Sequence, residues 1–237
     1  MKNRMLKGAH LSERKCREIL NLFCEDLTAT QIAAISNVSR VTVNAYLKMI
    51  RLRLAQFCDD AFPLHHLPLN HLSLKHGEGA GLPKTTYYGF TRWNGLVFST
   101  GLSDMSREHL QHWQKHHPGE GDTGAAPLYS GDPLASGHQA LSIAMPGIHA
   151  IADFSNWRLY RRDAANGQAS KYISDEISGF WGLTRSRLMK FRGLNRNTLY
   201  LHIKECEFRY NHRNEDMQHK ILIMISRQPL QDLVAAS

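Results

Sequence analysis

Carboxylates are scattered through the middle of this sequence at Asp104, Asp122, Asp132 and Asp153, and two more follow at Asp175 and Glu176. Three such groups, brought together by a sheet and a helix, can hold two divalent cations about 3.5–4 Å apart. One cation then activates a hydroxyl nucleophile and the other steadies the leaving oxygen of a phosphodiester. Mg2+ favours oxygen ligands of this kind. Isolated aspartates in loops also serve as turn formers, so the residue types alone leave both roles open.

Fourteen histidines add a second candidate chemistry, with groups at His65, His66, His71 and His76 and at His109, His112, His116 and His117. His109, His112 and His116 have helical spacing, but a metal centre also needs further ligands and groups that fix them. The stretch reads instead as an exposed helix. The four cysteines, Cys16, Cys24, Cys58 and Cys206, form no C-x-x-C pair, which argues against a zinc ribbon, a redox motif or a secreted disulfide framework.

A third set of residues points to nucleic acid. Arg40, Thr42, Asn44, Tyr46 and Lys48 are read as the outward face of one helix. Arg and Asn pair with base edges in a major groove, while Thr, Tyr and Lys hold phosphates. The charge distribution agrees. Lys and Arg outnumber Asp and Glu by 10 to 4 over residues 1–57 and by 12 to 5 over 158–213, whereas residues 58–157 carry 5 against 9. A basic head and a basic C-terminal third therefore enclose an acidic middle, within a net charge of +8. That layout suits a polyanionic partner.

The elements that must position these groups follow from periodicity and caps. Ser12 caps a first helix whose Cys16, Ile19, Leu20 and Phe23 form one apolar stripe. A threonine caps a short second helix over 27–35, Ser36-Asn37-Val38 makes the turn, and Ser39 caps a third helix with Val43 and Leu47 facing inward. This is the helix-turn-helix pattern, in which small Ala33 allows close approach and Val38 fills the corner.

A proline-containing linker at 58–66 leads to a strand from Leu67. Two strands around Arg92-Trp93-Asn94 then form a hairpin. A helix at 106–117, a glycine-rich loop at 118–127, a strand at 148–153 and helices from Asp175, over 197–211 and over 217–226 complete the chain. Phe180, Leu183, Arg187, Leu188 and Phe191 share a helix face. With 42% hydrophobic and 21% charged residues over 237 positions, collagen-like and wholly disordered classes are excluded. No apolar run reaches the length of a membrane span and no secretory signal is visible, so a cytoplasmic protein is expected.

The C-terminal third adds a resemblance. Residues 174–193 (Ser174-Asp175-Glu176-Ile177-Ser178-Gly179-Phe180-Trp181 through Lys190-Phe191-Arg192-Gly193) are followed by Tyr200-Leu201-His202-Ile203-Lys204-Glu205-Cys206-Glu207-Phe208-Arg209-Tyr210-Asn211. Together they closely resemble the end of bacterial insertion-sequence transposases of the ISXO type, members of the DDE superfamily. Gly77-Glu78-Gly79-Ala80-Gly81 and Tyr88-Gly89-Phe90 are similar to the glycine-rich turn and strand of the same family.

The resemblance implies an α+β or α/β chain. A helix-turn-helix domain would occupy 1–57, and a ribonuclease-H-like domain with a helical end would occupy 67–230. It implies binding of double-stranded DNA at terminal inverted repeats, homo-oligomerisation on DNA, and Mg2+-dependent strand cleavage and transfer. Asp132, Asp175 and Glu176 would be the catalytic groups, with Asp132 and Asp175 holding metal, and Arg185, Arg187, Lys190 and Arg192 would contact DNA. The sequence departs from the family pattern at Asn70, where a first aspartate is expected, and at Ser178, where a glutamate is expected. Two readings follow: a transposase, or a catalytically inactive transposase-derived DNA-binding regulator.

Overall fold

A computed structural model describes residues 11–61, 82–103, 105–115, 148–161, 175–191, 194, 196–227 and 230. Helices α1 (Glu13–Cys24), α2 (Ala29–Ser36) and α3 (Arg40–Asp60) lead to strands β1 (Tyr87–Trp93) and β2 (Leu96–Gly101). Helix α4 (Arg107–Lys115) and strands β3 (Ala150–Asp153) and β4 (Arg158–Arg161) follow. Helices α5 (Glu176–Leu188), α6 (Arg196–Asn211) and α7 (Met217–Arg227) close the chain. The architecture is mixed α+β: in chain order, helices precede and follow the strands of a four-stranded sheet.

The chain divides into two compact units, and the division does not follow sequence order. One unit joins Met1–Phe62 to Leu183–Ser237, and the other contains Pro83–Gly182. The sequence instead suggests a break after residue 57 and a second domain over 67–230. The reason for the difference is a shared core. Ile19, Leu20 and Phe23 of α1, Ile32 of α2 and Val43, Leu47, Ile50 and Leu54 of α3 bury together with Phe208 of α6 and Ile221, Met224 and Ile225 of α7. Residues 58–60, expected at the start of a linker, belong to α3. Cys58 is buried with its thiol against the Lys204 carbonyl, and Phe57 packs edge-on against Phe208 at 5.7 Å.

Helix α6 is buried nearly all round. Lys204, Glu205, Cys206, Glu207, Phe208 and Arg209 are six consecutive buried residues, four of them charged. Each charge is paired, as burial demands. Lys204 bonds Asp59 at 2.8 Å and Glu207 at 3.0 Å, and Glu205 receives Arg51 at 2.7 Å, Arg187 at 2.7 Å and Arg209 at 2.9 Å. Burial alone would raise the Glu205 carboxyl. The three guanidiniums overcome that and hold it well below the usual carboxylate range. Arg209 also donates to the Cys24 carbonyl at 3.1 Å, closing the C-terminus of α1.

In the other unit the sheet order is β2-β1-β3-β4, and every pairing among the described strands is antiparallel. Phe90 faces Ser99 on β2 and Ala150 on β3. The first hairpin turns at Asn94 and Gly95 (φ 48° and 75°), the left-handed pair a two-residue type I′ turn requires, one residue beyond the turn expected from sequence. One face of the sheet carries Tyr88 and Phe90, with Phe90 edge-on to Phe180 of α5 at 4.9 Å. Elsewhere in this unit Ile148 and Ile151 cluster with Leu102, Met105 and Leu110 of α4. Gly89 lets Ile148 approach, since a Cβ there would lie 2.6 Å from the Ile148 Cδ1.

The strand expected from Leu67, with Asn70, and the glycine-rich turn at 77–81 lie outside the described residues. So do Asp104, Asp122, the loop at 118–127 and His116. Among the described residues, no helix is long and apolar enough to cross a membrane.

Candidate nucleic-acid interface

Helices α2 and α3 are each capped at the N-terminus, α2 reciprocally. Thr28 accepts the Gln31 N–H at 3.4 Å and its own N–H donates to the Gln31 side chain at 2.9 Å, which is a capping box. Asn37 then takes the left-handed conformation (φ 53°) that ends α2, and Ser39 accepts the Thr42 N–H at 3.1 Å to start α3. Asn tolerates this backbone better than other non-glycine residues. From α1, Lys15 donates to the Ser36 carbonyl, so the turn is tied to the bundle. The two helices and the three-residue turn between them are thereby fixed.

Successive helical residues rotate by about 100°. Counting from Arg40, residues Asn44, Lys48, Val41 and Ala45 fall within a sector of about 140°. All five are exposed. Among the described residues, no ion pair or side-chain hydrogen bond engages Arg40, Asn44 or Lys48. The stripe thus presents two cations and an amide to whatever lies outside.

Tyr46 is a correction. It is 1% exposed and packs in the core, where burial pushes its phenol pKa upward with Cys16 beside it. Thr42 is half-buried and spends its hydroxyl on Ser39 at 2.8 Å. The cause is geometric: Arg40, Thr42, Asn44, Tyr46 and Lys48 follow a two-residue step, which on a helix turns about 200° and carries alternate members to the opposite side. Val41 and Ala45, missed from sequence, take the places that Thr42 and Tyr46 cannot.

The four basic residues assigned to DNA near α5 separate in the same way. Arg187 is buried and donates through Nε to Asp26 at 2.8 Å and through Nη2 to Glu205 at 2.7 Å, so its charge is consumed inside the protein. The apolar face it shares with Phe180 and Leu188 already announced this. Arg185 is exposed, Lys190 is exposed and lies 3.6 Å from Asp26, and Arg192 lies outside the described residues.

The carboxylates do not assemble into a metal cradle among the described residues. Asp175 accepts both terminal nitrogens of Arg161, at 2.9 and 2.6 Å, and the backbone N–H of Ser178 at 2.9 Å, which caps α5. The Arg161 guanidinium, helped by Ser178, holds this carboxyl well below its ordinary pKa. Its lone pairs are committed to the protein, so a divalent cation would have to displace a bidentate arginine. Glu176 pairs with Arg92 at 3.3 Å. Asp153, on β3, accepts the N–H groups of Ser155 and Asn156 at 2.8 and 3.3 Å and shapes the β3–β4 turn. Asp132 lies outside the described residues. His109 is likewise engaged locally: its Nδ1 accepts from the Ser106 N–H at 3.3 Å at the start of α4.

The chain has a transposase-like relative. Over 74 residues it is 30% identical to an uncharacterized transposase-like protein of Haemophilus influenzae, an alignment that covers 31% of this chain and 57% of the relative. The chain therefore spans little more than half of the relative's length. No family model matches the sequence, and no solved structure matches it. The likeness is distant and partial, and it supports a transposase-related origin.

Proposed function

We propose that this chain is a transposase-related protein that binds double-stranded DNA through the exposed stripe of α3 and does not itself cleave it. The observation that carries the reading is the set Arg40, Asn44 and Lys48, solvent-facing and unspent, on the helix that follows a left-handed turn. In this motif the second helix enters the major groove while the first crosses the backbone. Arg40 suits a guanine edge, Asn44 an adenine edge and Lys48 a phosphate. Terminal inverted repeats are the target class that the transposase relationship suggests, with two copies of the chain on the paired ends.

Strand cleavage would require Asp175 to take up Mg2+. Its engagement by Arg161 and Ser178 supports a structural role instead, with Asn70 and Ser178 standing where the resembling enzymes carry carboxylates. The test is titration of duplex DNA with the full chain across a salt series. Affinity should fall steeply with salt as counterions are released, and Lys48→Ala should reduce the logarithmic slope by about one. Incubation of the protein with Mg2+ and inverted-repeat duplex should leave both strands intact. Absence of binding, or binding indifferent to salt, refutes the DNA reading; Mg2+-dependent nicking abolished by Asp132→Ala refutes the reading that the chain does not cleave DNA.

A further inference from the structure

Phosphate binding does not account for every residue on the α3 stripe. Val41 is 80% exposed, the most of any large apolar side chain singled out as exposed among the described residues. Ala45, one turn further on, is exposed as well. Two methyl-bearing side chains therefore stand in solvent within the sector occupied by Arg40, Asn44 and Lys48.

A single exposed apolar residue is ordinary on a protein surface. Val41 differs in its surroundings. It sits in the first turn of the helix, between a cation and an amide with no internal partner, and first-turn residues of the second helix are those that reach base edges. The B-DNA major groove offers one apolar feature to such a side chain, the C5-methyl group of thymine, whereas its other features are hydrogen-bonding atoms. The charged neighbours fit a polyanion and not an apolar protein partner, because docking an apolar surface on Val41 would strip water from Arg40 and Lys48 without pairing them.

Resting on the DNA-binding reading above, we propose that Val41, supported by Ala45, is a specificity-determining residue that packs on thymine methyl groups, so that the preferred duplex carries A·T pairs under the first two turns of α3. Asn44, about 60° from Val41 and about 100° from Ala45 around the helix, lies in the same exposed sector and is placed to pair with an adenine.

The probe is the tightest duplex that the full chain selects from a randomised pool, synthesised once with thymine and once with uracil, which differs only by the missing methyl. Removing a contacted methyl should weaken wild-type binding about fourfold, as expected for one buried carbon. Val41→Ser should bind both duplexes alike, and its melting temperature should match wild type because the side chain is exposed. Wild-type indifference to the thymine-to-uracil change, or full discrimination retained by Val41→Ser, overturns the proposal while leaving salt-dependent DNA binding in place. A pool from which nothing is enriched overturns it too, and if no duplex binds at any salt concentration the underlying DNA reading fails with it. Loss of self-association in Val41→Ser, seen by sedimentation with base discrimination unchanged, would assign the residue to a copy–copy contact and refute the methyl readout.

Discussion

Replacing Glu205 by Gln tests the charge network on which one of the two units depends. The side chain is fully buried, and its two oxygens receive Arg51, Arg187 and Arg209. Glutamine keeps the volume, so no cavity complicates the result, but it removes the negative charge that three guanidiniums share. Arg187 retains Asp26, and Arg209 retains the Phe23 and Cys24 carbonyls. Among the described residues, Arg51 retains only the Phe23 ring, 5.8 Å away. Breaking a buried pair costs about 3–5 kcal/mol, and the partial compensation places Glu205→Gln near the lower end, about 3 kcal/mol. With a urea m-value of about 2 kcal/mol/M, the midpoint should fall by about 1.5 M.

All four tryptophans, at 93, 113, 157 and 181, lie in the other unit. The transition should therefore be followed by helical circular dichroism and not by tryptophan emission. Because the folded carboxyl titrates below its unfolded value, its stabilisation is complete above about pH 4.3. It declines by about 1.4 kcal/mol per pH unit below that, until the folded pKa is reached. The gap between wild type and Glu205→Gln should thus be full at pH 7 and narrow in acid. A variant within about 1 kcal/mol of wild type at pH 7, or a gap that persists unchanged at pH 3, would refute the network.

Arg187→Ala should destabilise the protein by about 3 kcal/mol, as removal of a buried partner does, whereas Arg185→Ala should leave the urea midpoint unchanged. The opposite ranking would show that the two side chains are misplaced. Asp175→Ala should cost about 1–3 kcal/mol through the lost cap of α5 and the loss of the carboxylate that Arg161 engages, and millimolar Mg2+ should not stabilise the wild-type protein. Since the Asp175 carboxyl titrates below its unfolded value, that contribution is present above about pH 3.9 and fades in stronger acid. Phe180→Ala, which removes a fully buried ring stacked edge-on against Phe90, should cost about 3–5 kcal/mol. Trp181, beside it in sequence, reports that transition by fluorescence.

Local signals carried the reading of the helical head. Ser12 and Ser39 cap helices where the sequence places them, Thr28 is the threonine that caps the second helix, and the stripe Cys16, Ile19, Leu20 and Phe23 is the buried face of α1. Helix α6 could not be read for burial, because Lys204-Glu205-Cys206-Glu207-Phe208-Arg209 has the composition of a solvent-facing turn. Only partners 18 to 186 residues away, among them Arg187, Asp59 and Phe23, show that it is enclosed. Strand β4 was also missed, since Arg158-Leu159-Tyr160-Arg161 is a short edge strand whose register is set by β3. At the candidate interface, residue types pointed to DNA, but a face drawn with a strand period put Tyr46 outside and left Val41 unnoticed.

Charge counted along a sequence differs from charge presented to a ligand, and the C-terminal third shows by how much. Residues 158–213 carry 12 Lys and Arg against 5 Asp and Glu. Yet Arg161 is spent on Asp175, Arg187 on Asp26 and Glu205, Lys204 on Asp59 and Glu207, and Arg209 on Glu205. Two of these acids, Asp26 of the head and Asp59 of the middle segment, lie outside the C-terminal third. The apparent excess in the tail therefore neutralises carboxylates that a segment-by-segment count credits elsewhere. A cation inside such a network releases no counterion from DNA, whereas each exposed one does. Among the described residues, the cations left for a polyanion are exposed ones such as Arg40 and Lys48 on α3 and Arg185 near the end of α5. Because the buried network joins α6 to α1 and α3, cutting the chain after residue 57 would strip the α3 stripe of the core that orients it.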